Sequence, residues 1–214
     1  KHDLKYLKAA INASISTSHK IIDTLLLSPL LFPCKPHHYL IKDNRLRVNE
    51  LSNPLHDSIK ARELFSDEID VFNKLPGELR SVFYGLLHDH IDFAGFFQFI
   101  DFHDQTDPHT LSGRIQTFLR EKICENATID ELIRKDPVTL AYAISLINCE
   151  DQHPVTPAWL NNNFPEIEQV LARLRHTRCS TECAYCKNAL DPKTALWRYF
   201  RFNDFRRYGN QPLQ

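Results

Sequence analysis

Three thiols fall within eight residues of this chain, in the run Cys179-Ser-Thr-Glu-Cys183-Ala-Tyr-Cys186. Thiols this close can converge on one ion without long loops, and thiolates are soft donors that suit Zn²⁺ or an iron–sulfur cluster. Such a site normally takes a fourth ligand, so the fold has to carry one back to this segment. Cys149 ranks first, because a loop–helix–loop excursion returns the chain to the same end. His176, three residues before Cys179, ranks second, and His153, in the loop after Cys149, ranks third. Four protein ligands make a closed, structural site rather than a catalytic one. Zinc is the expected ion, with a 4Fe–4S cluster the alternative.

The other three cysteines are Cys34, Cys124 and Cys149. A secreted disulfide framework spreads its cysteines along the chain, and its precursor usually carries a signal peptide. The N-terminal run KHDLKYLKAAINASIS has no apolar signal core. A reducing compartment, cytoplasmic or nucleoid/nuclear and not secreted, is therefore expected. Cys124 and Cys149 end apolar helical stretches, where an inert buried thiol is the usual case.

Apolar residues recur at three- and four-residue steps along most of the chain. Residues 1–27 read as helix in two pieces, ended by Ser28-Pro29 and the prolines that follow. Asn53-Pro54 opens a stretch to about Phe65, and Ser66 caps the next. Pro76 starts a helix with Leu79, Val82, Phe83, Leu86 and Leu87 on one side. Residues 91–102 are the most apolar and read as a buried helix, with a short parallel strand as the alternative that periodicity alone does not separate. Helices follow at 110–124, from the capping-box pattern Thr128-Ile-Asp-Glu131, from Pro137 to Cys149, from Pro157 to Asn163, at 165–176 and at 191–200. Residues 39–48 read as a small hairpin turned at Asp43-Asn44. The expected architecture is mainly α: a multi-helical, bundle-like domain with one small β-hairpin, followed by a small Cys-ligated metal module.

Charge divides along the same line. The whole chain carries a net charge of −1, but residues 171–214 hold 9 basic against 3 acidic residues, a local +6, leaving −7 for residues 1–170. The Pro- and polar-rich run between about 148 and 156 sets the expected boundary. Residues 1–150 would form an acidic helical domain, and residues 151–214 a basic metal-binding module facing a polyanion. The 43% hydrophobic content excludes a disordered tail, and no apolar run approaches membrane-spanning length, so no membrane partner is expected. The chain contains no Met, which points to a piece of a larger protein.

In the C-terminal segment Trp197, Tyr199, Phe200, Phe202, Phe205 and Tyr208 alternate with Arg198, Arg201, Arg206 and Arg207. Aromatic faces stack on unpaired bases and arginines track phosphates. Tyr199-Phe200-Arg201-Phe202 followed by Phe205-Arg206 resembles the segment preceding the motor of RecQ-like superfamily 2 DNA helicases. Arg201 stands where that family usually has Gly. The resemblance, confined to about 20 residues, implies that Gln214 (or Gln211) reads adenine. It also implies a helicase motor in the same polypeptide beyond Gln214, with ATP bound there. The glycines Gly77, Gly85, Gly95, Gly113 and Gly209 form no phosphate-binding loop within this chain. The Cys-x3-Cys-x2-Cys spacing also resembles the cluster motif of radical S-adenosylmethionine enzymes, but the 28 residues after Cys186 are too few for their barrel, so that reading returns only with a long continuation beyond Gln214.

Three functions are thus open. The first is an accessory region of a DNA helicase, with Trp197, Arg198, Tyr199, Arg201, Arg206 and Arg207 on single-stranded or forked DNA. The acidic domain would then offer a protein-docking surface. The second is a zinc-stabilised protein-interaction domain. The third is a metal-dependent hydrolase using His88, Asp89, His90, Asp92, Asp101, His103, Asp104, Asp107 and His109. Those residues read more simply as polar caps at both ends of a buried helix, and Cys34-Lys-Pro-His37-His38 as a structural loop.

Overall fold

A computed structural model describes residues 21–35, 54–104, 108–149, 154, 156–176, 179–181 and 183–189. Among the described residues the fold is mainly helical, with ten α-helices, one π-helical turn and no strand. The expected hairpin at 39–48 lies outside them, as does the expected helix at 191–200. No helix among the described residues is long and apolar enough to cross a membrane.

The helices are α1 (Thr24–Leu31), α2 (Pro54–Lys74), α3 (Gly77–Leu87), α4 (Ala94–Phe99) and α5 (Pro108–Phe118). They continue as α6 (Ile129–Lys135), α7 (Pro137–Asn148), α8 (Ala158–Asn163), α9 (Ile167–Leu171) and α10 (Ala184–Ala189). The π-helical turn Ala172–His176 extends α9 directly. Helix α7 is the centre of the fold and packs against α1, α3, α6 and α9. Every residue from Val138 to Ile147 is buried. A helix apolar on all sides is stable only when surrounded, and each fully buried Leu or Ile contributes roughly 1.5–3 kcal/mol.

Helix α1 runs through Pro29 rather than ending there. Tertiary bonding explains the difference. Asp23 caps the first turn by accepting the amide of Leu25 at 3.1 Å. Tyr142 and Ser145, one turn apart on α7, donate hydroxyl hydrogens to the carbonyls of Leu26 (2.8 Å) and Leu30 (2.6 Å). Leu27, Leu30 and Leu31 are at most 5% exposed. Burial against α7 outweighs the helix-breaking preference of a single proline.

Residues 54–74 form one helix, not two. Ser66 donates back to the carbonyl of Arg62 at 3.0 Å, the bond of a mid-helix serine. In α3 the five expected apolar residues are all buried. Gly85 lets α5 approach: a Cβ there would lie 2.9 Å from Leu111 Cδ1.

The apolar stretch at 91–102 is only half inside. Phe93, Phe96 and Phe97 are buried, while Ile91 and Phe99 are 84% and 64% exposed. Its helix is the short α4, and Asp101 turns the chain at φ 52°. Phe72 gathers the neighbouring rings edge-on, with centroids 5.3 Å from Phe96, 5.8 Å from Phe97 and 5.2 Å from the half-buried Phe102. The capping-box pattern at Thr128–Glu131 starts α6, but without the side-chain cap. Arg173 takes both groups instead, donating to Thr128 Oγ1 at 2.8 Å and to Glu131 Oε2 at 2.7 Å.

The buried cluster that includes α7 extends to Leu160, Ile167, Val170 and Leu174. Those residues lie beyond the run at 148–156 where the sequence suggests a boundary. A second, smaller buried cluster holds Cys124, Cys183, Tyr185, Cys186 and Ala189.

Candidate metal centre

Helix α10 opens directly after Cys183, and Cys183 and Cys186, three residues apart, share one face. The turn at 179–181 folds back on this start. Cys179 Sγ accepts the backbone N–H of Cys183 at 3.3 Å. The three clustered thiols therefore meet through local structure alone.

The fourth thiol arrives from the loop after α5. That helix stops at Phe118, and Glu121 takes a left-handed conformation at φ 68°. The spacing of Ile115, Leu119 and Ile123 reads as one continuous helix, yet the last two reach the core from a loop. All three are at most 3% exposed. Cys124, next in the chain, enters the second cluster. Its backbone N–H donates to the carbonyl of Leu174 at 2.7 Å, in the π-helical turn. Such turns free carbonyls from the regular ladder, and this one anchors the incoming loop.

The sulfurs of Cys124, Cys179, Cys183 and Cys186 all lie within 4.8 Å of one another. Cys124 Sγ is 3.9 Å from Cys183 Sγ. With Zn–S bonds of about 2.3 Å, sulfurs at the corners of a tetrahedron stand ~3.8 Å apart. The donor set and its spacing thus fit a metal ion. Cys124, Cys183 and Cys186 are buried and Cys179 is half-buried.

Hydrogen bonds around the thiols are unequal. The N–H of Cys183, the Thr181 hydroxyl (3.4 Å) and the Asn126 amide (3.4 Å) all face Cys179 Sγ. They hold that thiol down to about 5, the Cys183 amide contributing most. Burial pushes Cys124 up to about 12 and raises Cys186. Asn126 also donates to Thr181 Oγ1 at 2.7 Å, tying the Cys124 loop to the cysteine turn. Behind the centre, Tyr185 Oη donates to the Arg175 carbonyl at 3.3 Å and accepts from Arg175 Nε at 3.4 Å.

Cys149, the sequence's first choice as fourth ligand, is not in this group. It caps the end of α7 and donates its thiol hydrogen to the Ser145 carbonyl at 3.1 Å. Its neighbour is Cys34, whose Sγ is 3.9 Å from the Cys149 carbonyl. Burial pushes the Cys149 thiol up to about 12. The excursion through α8 and α9 returns the chain beside Cys124 instead. His176 closes the π-helical turn. His153 lies outside the described residues, as do Trp197, Arg198, Tyr199, Arg201, Arg206, Arg207 and Gln214.

The sequence carries little sign of Cys124 or Asn126. Their distance from Cys179 matches no compact ligand spacing, and only the packing of the loop on the π-helical turn selects them.

The His- and Asp-rich residues assemble no second centre among the described residues. They do approach one another more than a straight helix would allow. Tyr84 stacks on His88 at 4.5 Å between centroids and meets His103 edge-on at 6.4 Å. Their carboxylate contacts are local: His88 with Asp89 and His103 with Asp101, each at 3.2 Å. No family model, no curated protein and no solved structure matches the chain.

Proposed function

We propose that this chain is a nucleic-acid-associated accessory module built around a structural zinc. The four thiols of Cys124, Cys179, Cys183 and Cys186 within 4.8 Å carry the reading. Zinc is favoured over a 4Fe–4S cluster because each thiolate of such a cluster holds a different iron, which spreads the sulfurs beyond a single-ion tetrahedron. Four protein ligands close the coordination sphere, so the ion's role is to fix structure. It would clamp the loop at 119–128 to α10 and so define where the basic segment from residue 190 onward begins.

That segment, with Trp197, Arg198, Tyr199, Arg201, Arg206 and Arg207, would contact single-stranded or forked DNA and lead into a RecQ-like motor in the same polypeptide. The support is its composition and the aromatic–arginine pattern. Fluorescence anisotropy of labelled single-stranded DNA at several salt concentrations tests the reading. Affinity should fall with rising salt and weaken when the four arginines become Ala. Absence of binding at low salt would overturn it. Metal content and visible absorbance of the purified chain separate zinc, which is colourless, from an iron–sulfur cluster.

Protein docking without DNA is the second reading. The exposed Leu55 (68%), Ile91 (84%) and Phe99 (64%) favour it. A folded chain that binds no DNA at low salt would turn the argument that way.

A further inference from the structure

Helices α1 and α7 run side by side, joined by two cross-links in register. Tyr142 reaches the Leu26 carbonyl and Ser145 reaches the Leu30 carbonyl. One further step along both chains brings Cys34 to Cys149: Cys34 Sγ is 3.9 Å from the Cys149 carbonyl, although 115 residues separate them. Both residues sit just past their helix ends, Cys34 in the turn closed by the Lys35 N–H on the Phe32 carbonyl, Cys149 at the α7 cap. Cys34 therefore lies outside any helical turn, while the Cys149 thiol donates back to the Ser145 carbonyl at the end of α7. Both are half-buried and line the same cavity, of about 360 Å³, with Lys35, Leu79, Phe83 and Asn148.

Two cations flank the pair. Lys35 follows Cys34 directly, and Lys122 Nζ donates to the carbonyl of Asn148, beside Cys149, at 3.4 Å. Lys35 lines the cavity with its Nζ over the Phe32 ring, and ammonium groups near two thiols suit a small, carboxylate-bearing oxidant.

We propose that Cys34 and Cys149 form a second thiol site, one that a low-molecular-weight disulfide oxidises reversibly to an intramolecular disulfide. Cys34 reacts first, because the Cys149 thiol hydrogen is engaged by the Ser145 carbonyl. The Cys34 thiolate attacks one sulfur of the small disulfide, forming a mixed disulfide and expelling one thiolate. Cys149 then loses its proton and attacks the Cys34 sulfur, expelling the second small thiolate. Two protein thiols are oxidised and one small disulfide is reduced to two thiols, which take up the two protons released. The product staples the end of α1 to the end of α7. This site is separate from the four-cysteine centre and does not depend on its metal.

The test uses the purified chain with its metal as isolated. It is incubated with oxidised glutathione, quenched with acid, alkylated and digested without reduction. The expected result is a peptide pair joined through Cys34 and Cys149, with an intact mass about 2 Da lower, reversed by dithiothreitol. Cys149→Ser should stop at a glutathione adduct on Cys34, and Cys34→Ser should leave Cys149 free. Wild-type chain in which both residues still alkylate overturns the proposal. So does a glutathione adduct on Cys34 that Cys149 never resolves, or a cross-link from either residue to the four-cysteine centre.

Discussion

Cys124 Sγ and Cys183 Sγ stand 3.9 Å apart although 59 residues separate them. The loop after α5 and the start of α10 therefore meet at sulfur. With metal bound, this contact becomes two bonds to one ion. Cys124→Ser should bring metal content well below one per chain, and Cys186→Ser should do the same. Cys149→Ser should retain the wild-type content. Elemental analysis of the three purified variants checks the choice of fourth ligand, and equal loss from Cys149→Ser would reject it.

Asn126 acts on the centre through Cys179. Its amide lies 3.4 Å from that sulfur and 2.7 Å from Thr181 Oγ1. Outer partners of metal ligands typically account for 10–100-fold in affinity. Asn126→Ala should weaken metal binding by about that factor in a chelator competition, with helix content by circular dichroism unchanged.

Glu68 on α2 is fully buried, and among the described residues neither carboxylate oxygen has a hydrogen-bond partner. Burial pushes its pKa to about 9, partly offset by Lys35. The folded state therefore keeps this proton while the unfolded chain, with an ordinary carboxyl near 4.5, releases it. Stability should fall as pH rises between those two values and level off above the higher one. Each pH unit inside that window is worth about 1.4 kcal/mol, so denaturation at pH 5.5 and 7.5 should differ by ~3 kcal/mol. Glu68→Gln should remove most of this slope. A slope identical to wild type would refute the buried-acid account.

The Tyr142 hydroxyl joins α7 to the Leu26 carbonyl, and its ring is 1% exposed. Tyr142→Phe should keep the packing and lose the bond. The expected cost is about 1 kcal/mol in urea denaturation, with an unchanged m-value. Ser145→Ala should cost a similar amount, because it leaves the Leu30 carbonyl without its 2.6 Å donor.

Much of the helical pattern is legible in the sequence. The apolar face of α3 and the helix opened by Pro137 follow from periodicity and proline placement, which act over a few residues. Proline also misled: Pro29 reads as a stop, but the hydroxyls of Tyr142 and Ser145 and the burial of α1 hold the helix through it. Ser66 reads as a cap, but the flanking segments continue as one helix.

The sequence by itself determined that Cys179, Cys183 and Cys186 meet, because a tight turn and one helical face bring them together. Only the tertiary structure decided the fourth thiol. Helix α5 stops where local spacing says it should continue, Glu121 turns the chain, and the Leu174 carbonyl receives the Cys124 amide. The same packing sends Cys149 to Cys34. Periodicity records which side of a segment is apolar. It does not record which distant carbonyl or thiol that side will meet, since the meeting depends on how all the helices settle around α7.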